Sequence, residues 1–246
     1  MKRRSLLALG VAAYAAALFV MAPATLLDSA LARESAGRLR LTEAGGTVWS
    51  GSGFIEFRDA KQRARAAKHV AWRVAPFALL RGELAVEATT SDSRTPISIT
   101  ATFSRIEIAN AQLTLPAAVL GLAAPKLAPL ELTGDLSVQL SRLTLANGDA
   151  YGNARAQWHA AGSSLTKLSP LGSYELDFVP EGAGLRATLR TLDGPLALEG
   201  AGSWSQRNGA AFRATAEVAA SHREALAPVL RLVAIERGPG RFDLEL

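Results

Sequence analysis

A mainly β protein carried on one N-terminal membrane-spanning helix is the fold class the sequence predicts, and three observations carry it. The chain opens with Lys2-Arg3-Arg4 and then runs from Ser5 to Leu27 without a charge. Beyond Gly37 the apolar residues recur with a period of two, as they do in half-buried strands. The dipeptides Asn147-Gly148, Asp193-Gly194 and Asn208-Gly209 fall between these runs and suit tight hairpin turns.

The uncharged stretch would span roughly 34 Å as a helix rising ~1.5 Å per residue, enough to cross a hydrocarbon core of about 30 Å. Its apolar positions include Leu6, Leu7, Leu9, Val11, Tyr14, Leu18, Phe19, Val20 and Met21. The three cations at its start keep the tip on the cytoplasmic side, so the rest of the chain is expected across the membrane. A cleaved export signal is the competing reading, with Ala22-Pro23-Ala24 and Ala30-Leu31-Ala32 as small-residue cleavage triplets. A proline inside the first triplet, and the distance of the second from the apolar core, favour a retained anchor. The expected organisation is residues 1–27 as tip and anchor, 28–36 as a helical connector and 37–246 as one β-rich domain.

Length and composition suit that domain. The 246 residues are 49% hydrophobic and 20% charged, ample material for a core. The net charge of +5 comes largely from the first four residues; without Lys2, Arg3 and Arg4, 24 basic side chains face 22 acidic ones. Nucleic acid is therefore not an expected partner. Cysteine is absent, which excludes disulfides, thiol catalysis and cysteine-based zinc sites.

Strand-like segments follow in order. Leu39 and Leu41 alternate with Arg38, Arg40 and Thr42, and Gly45-Gly46 turns the chain into Thr47–Phe57. Further strands read at 84–90, 97–109, 113–115, 130–145, 154–160, 174–179, 185–189, 196–198, 212–218 and 242–246. Helical pieces fit 23–36, 76–80, 116–120 and 222–235. Two strands switch parity: Ile97, Ile99, Ala101 and Phe103 give way to Ile106 and Ile108, and Leu136, Val138 and Leu140 to Leu143 and Leu145. Both switches fall on a Ser-Arg pair, Ser104-Arg105 and Ser141-Arg142. Bulges there predict two equivalent bent strands in a curved sheet. The periodicity leaves an open trough and a closed barrel as alternatives.

Catalytic signatures are scarce. Ser164-Leu-Thr-Lys167 has the S-x-x-K spacing but sits between Gly162 and Pro170 in loop-like sequence, without the companion motifs of that chemistry. His69, His159 and His222 have no partner at ligand spacing, so no metal and no cofactor are expected. Arg58, Lys61, Arg63, Arg65 and Lys68 share their stretch with one acid, Asp59. They read as a solvated loop or hairpin rim that could meet anionic lipid or an acidic partner surface. The four tryptophans, Trp49, Trp72, Trp158 and Trp204, read as core anchors, with a groove lining as the alternative.

Gly46-Thr47-Val48-Trp49-Ser50-Gly51 resembles the G-x-[LV]-W-x-G signature of the type II secretion system protein N family. Trp72 with Pro76, then Pro170-Leu171-Gly172, then the run to Trp204 and the closing segment 226–246 resemble the family's later segments in order. The resemblance implies a single-pass inner-membrane protein with a periplasmic domain, built as an open, half-barrel-like curved antiparallel sheet. It implies a non-enzymatic accessory of the machine that exports folded proteins through an outer-membrane secretin, with platform or secretin subunits as partners. The fold that the resemblance implies is similar to AsmA-like domains, which makes a lipid-handling groove the second expectation and lipid a second candidate partner.

Overall fold

The computed structural model describes residues 10, 13, 14, 17–58, 64–93, 95–205 and 209–245. They fall into two compact units, Met1–Ser91 and Asp92–Leu246. Both are built mainly of antiparallel strands with a few short helices.

In the first unit, helix α1 (Thr25–Glu34) leads into a meander of β1 (Leu39–Gly46), β2 (Ser50–Arg58), β3 (Ala64–Val74) and β4 (Leu84–Thr90). A 3-10 turn, Pro76–Arg81, joins the last two. Helix α1 buries none of its own residues; a carboxylate holds it instead. Asp28 accepts two hydrogen bonds from the Arg40 guanidinium, at 2.8 and 2.6 Å, and a third from the Leu41 N–H at 2.8 Å. The guanidinium holds the Asp28 carboxyl below the usual carboxylate range.

The second unit is a ten-strand sheet. Its strands are β5 (Ile97–Ala101), β6 (Arg105–Pro116), β7 (Leu132–Ala146), β8 (Asp149–Ser163), β9 (Gly172–Glu181), β10 (Gly184–Asp193), β11 (Leu196–Ser205), β12 (Gly209–Val218), β13 (Ile235–Gly238) and β14 (Arg241–Glu245), with a one-turn helix α2 (Leu120–Ala123) between β6 and β7. The order follows the sequence except that β14 lies between β12 and β13. Within this unit β5 and β13 lie at the two ends of the strand order and show no pairing with each other among the described residues, so the unit does not close into a barrel. It also bends. Lys126, in the 3-10 turn Pro125–Leu130 before β7, donates to the Glu245 carbonyl on β14 at 3.0 Å. Five strands separate β7 from β14, and with strands spaced ~4.8 Å apart a flat sheet could not bring them together.

Register gives this sheet two faces. One row runs Leu113–Val138–Ala156–Leu176–Leu189–Gly200–Ala214–Leu244, every neighbour a cross-strand partner. A second runs Leu136–Trp158–Tyr174–Thr191. The opposite face carries Gln139, Arg155 and Asp177 in register. The densest core lies at one end of the apolar face, where α3 (Arg223–Leu230) lays Leu226 and Leu230 against Leu196, Ala216, Val218, Phe242 and Leu244. Each leucine so buried contributes about 1.5–3 kcal/mol. Val138, Leu176 and Leu189, further along, stay half-buried.

Three sequence expectations need correction. Ser104-Arg105 is not a bulge: β5 ends at Ala101, Thr102 N–H donates to the Arg105 carbonyl at 2.7 Å, and β6 begins there. A tight turn resets parity as a bulge does. Ser141-Arg142 does sit at a register shift, between Leu140 and Arg142. The two similar segments are therefore antiparallel neighbours, Ile106 beside Leu145 and Ile108 beside Leu143, rather than equivalent strands. The final helix stops at Leu230, and Ile235 already belongs to β13. Of the basic stretch, Arg58 ends β2, and Arg65 and Lys68 lie on its hairpin partner β3.

Candidate functional site

The residues of the first signature assemble at one end of the first unit, beside the end of the apolar N-terminal run. Thr47 starts the arrangement: its hydroxyl oxygen accepts from the Trp49 and Ser50 N–H groups at 3.3 and 3.2 Å, and its own N–H donates to the Ser50 carbonyl at 2.9 Å. This turn needs Gly46. Its φ is +90°, and a Cβ there would lie 2.5 Å from the Ser50 carbonyl oxygen. Residues 22–24 run alongside: Val48 N–H donates to the Ala22 carbonyl at 2.9 Å and Ala24 N–H to the Gly46 carbonyl at 3.2 Å.

Two indoles close the bracket. Trp49 Nε1 donates to the Phe19 carbonyl at 2.8 Å, and the two rings sit 4.6 Å apart. Trp72 Nε1 reaches back to the Thr47 carbonyl at 3.2 Å, its ring lying over Gly51. Val74 N–H then donates to the Trp49 carbonyl at 2.7 Å, two residues before Pro76 opens the 3-10 turn. Gly46, Thr47, Val48, Trp49, Gly51, Trp72 and Pro76 thus form one connected piece, joined to residues 19–24.

The second motif is a separate structural knot in the second unit. Leu171 enters the core and its N–H donates to the Ala161 carbonyl at 2.6 Å. Gly172 lets Tyr174 pass beneath, since a Cβ there would meet the Tyr174 hydroxyl at 2.8 Å. Pro170, preceded by a cis peptide bond, is exposed. Burial, with Asp193 adding to it, pushes the Tyr174 phenol above its ordinary range. Trp204 sits apart on β11, opposite Leu185 and Ala210.

All four tryptophans are half-buried. Three spend their N–H on backbone carbonyls; Trp158 donates to Thr133 at 2.9 Å. Such bonds cross 25 residues or more and have no local sequence signal.

The other candidates separate. Arg58 pairs with Glu56 at 2.9 Å. Lys61 and Arg63 lie outside the described residues, and Lys68 is half-buried on β3. Leu6, Leu7, Leu9 and Val11 also lie outside them, whereas Tyr14, Leu18, Phe19, Val20 and Met21 are all more than half exposed. Among the described residues no helix is long and apolar enough to cross a membrane.

Ser164 donates to the Glu131 carboxylate. His69 packs edge-on against Phe54, His159 is exposed on β8, and His222 precedes α3. Among the described residues no group of three or more His, Asp or Glu side chains is placed to hold a metal. An ion cluster around one buried carboxylate stands out on the charged face: Glu175, 3% exposed, accepts from Gln157 at 2.7 Å and from Arg190 at 2.9 Å, with Arg155 at 3.7 Å. Its partners are side chains on neighbouring strands, an arrangement that locks register rather than a reactive centre.

No curated protein and no solved structure matches the chain. The family model for type II secretion system protein N matches residues 37–245, a span that takes in the tryptophan bracket and the Leu171 knot alike. The chain belongs to the type II secretion system protein N family.

Proposed function

We propose that this protein is a non-enzymatic accessory component of type II secretion, tethered to the inner membrane through the uncharged residues 5–21, ahead of the point where Ala22 joins the first β unit, with its two β units on the periplasmic side. The observation that carries the reading is the family match over 37–245. The tether is supported by the uncharged run behind three cations and by the exposed apolar side chains that end at the tryptophan bracket. Platform or secretin subunits are the partners the family implies, and no cofactor is required.

The test is in-cell cross-linking from engineered surface positions, with identification of attached proteins and lipids. Recovery of secretion subunits supports the reading; phospholipid without any such subunit overturns it. Replacing Leu6–Met21 by a cleavable export signal tests the tether separately. Full secretion by the released form would remove membrane attachment from the function.

A second reading rests on the apolar row of the second unit, which α3 covers at one end only. A bent strip of aliphatic and small residues without a charge suits acyl chains. Under this reading Leu189→Asn leaves the unit folded and abolishes lipid co-purification; unchanged lipid content removes it.

A further inference from the structure

The turn Pro76–Arg81 exposes the wrong side chains for a water-facing loop. In a 3-10 helix, residues three apart eclipse one another, so Phe77 and Leu80 project from one edge. They are 79% and 85% exposed. The exposure is built in rather than incidental to a floppy loop. Ala78 is buried beneath, and Gly82 caps the turn in the left-handed region at φ 72°. The N–H groups of Gly82 and Glu83 bond back to the Leu79 and Ala78 carbonyls, at 3.0 and 3.1 Å.

What lies beside the turn identifies its occupant. Val74, two residues upstream, is bonded to Trp49, and Trp49 is bonded to Phe19 at the end of the uncharged N-terminal run. Phe19, Val20 and Met21 are themselves exposed. The turn therefore follows directly on a strand end that Trp49 ties to the segment proposed above as the membrane tether. Charge agrees: Arg73 and Arg81 bracket the turn, both exposed, and no acid occurs from Ala60 to Gly82. An aliphatic-aromatic tip between arginines, with a tryptophan at the same end, is the pattern of a segment seated among anionic head groups.

We infer that Phe77 and Leu80 enter the surface of the bilayer that holds the N-terminal segment, giving the first unit a second membrane contact. The inference rests on the tether reading. Two contacts fix the unit's orientation on the membrane, where one helix would leave it free to swivel.

The chain has no cysteine, so single cysteines can be placed at will. Full-length F77C and L80C, with Q139C on the charged face of β7 as control, are labelled with an environment-sensitive fluorophore. They are reconstituted into phosphatidylcholine vesicles containing phosphatidylglycerol. Unchanged far-ultraviolet circular dichroism confirms the fold. The expected result is blue-shifted emission at 77 and 80, with several-fold greater quenching by head-group-proximal spin-labelled lipid than at 139. If the protein floats with the vesicles but labels 77 and 80 remain open to iodide and blind to the lipid quencher, the second contact is refuted and the tether stands. Failure to float overturns both. Shielding of 77 from iodide in the reconstituted protein without any quenching by the spin-labelled lipid assigns the turn to a contact with a second copy of the chain and also overturns the inference.

Discussion

The ring of Trp72 lies so close over Gly51 that a Cβ on the glycine would sit 2.6 Å from its Cζ2 atom, and 2.3 Å from the Gly45 carbonyl oxygen on the other side. The two residues are cross-strand partners on β3 and β2. This relationship explains the spacing of the signature. Trp49 faces Phe19, and two positions on, the chain must present no side chain at all so that the second indole can reach the Thr47 carbonyl. Gly51→Ala is expected to destabilise the first unit by about 1–3 kcal/mol, the usual cost of overpacking, because one obstacle is backbone and cannot rotate away. Urea unfolding followed by tryptophan fluorescence measures it. A change below a few tenths of a kcal/mol would mean that the indole moves freely.

Glu175 makes stability depend on acid. Its hydrogen bonds from Gln157 and Arg190, with the charges of both neighbouring arginines, hold its carboxyl down at about 2 against an ordinary 4.5. A folded-state pKa below the unfolded one stabilises the fold above pH 4.5, and the contribution is lost as pH falls towards 2. Arg155 and Arg190 are more than half exposed, so solvent screening limits the effect to about 1 kcal/mol. Glu175→Gln should lower the unfolding midpoint at neutral pH and flatten its dependence between pH 4.5 and 2. A variant with the wild-type acid profile would place the titrating group elsewhere.

The legible part of the fold is the part written as alternation. Leu136, Val138 and Leu140, followed by Leu143 and Leu145, announced both β7 and its bulge, and the register shift lies where the parity changes. The same signal misled at Ser104, because a turn and a bulge change parity alike. Strand β3 was hidden because Lys68 occupies a half-buried position between exposed Ala67 and His69, reversing the expected polarity. Strand β13 offers four residues with a single large apolar side chain, too few for a period. The first signature could be found as a motif, but its geometry could not, since indole-to-carbonyl bonds join residues 25 or 30 apart.

Burial should be uneven along the apolar face of the second unit. Leu226 is 1% exposed and packed into the cluster under α3, so Leu226→Ala is expected to cost about 2–4 kcal/mol. Val138 lies in the half-buried row, and Val138→Ala should cost about 1 kcal/mol or less, because little is packed above it to lose contact. Chemical denaturation of the two variants decides. Equal losses would show that something in the full protein covers the row as closely as α3 covers the end.

Tyr174 is expected to couple stability to alkaline pH. Its hydroxyl donates to the Leu196 carbonyl at 2.9 Å, with the Leu171 carbonyl at 3.3 Å, and the side chain is among the most buried in the chain. Ionisation would remove the donor and leave a buried phenolate facing two carbonyl oxygens, with Asp193 adding repulsion. The folded-state pKa is therefore above the unfolded value of 10.0, so the contribution is complete below pH 10 and is lost as pH rises towards the folded value. Tyr174→Phe removes the hydrogen bond but keeps the ring against Trp158, whose centroid lies 5.7 Å away. It should cost about 1–2 kcal/mol at neutral pH. It should also shift alkaline unfolding to higher pH relative to its own neutral stability. Spectrophotometric titration of the wild type against Tyr174→Phe separates the outcomes: Tyr174 should ionise only with unfolding, and its ionisation near 10 in the folded protein would refute the role given to it.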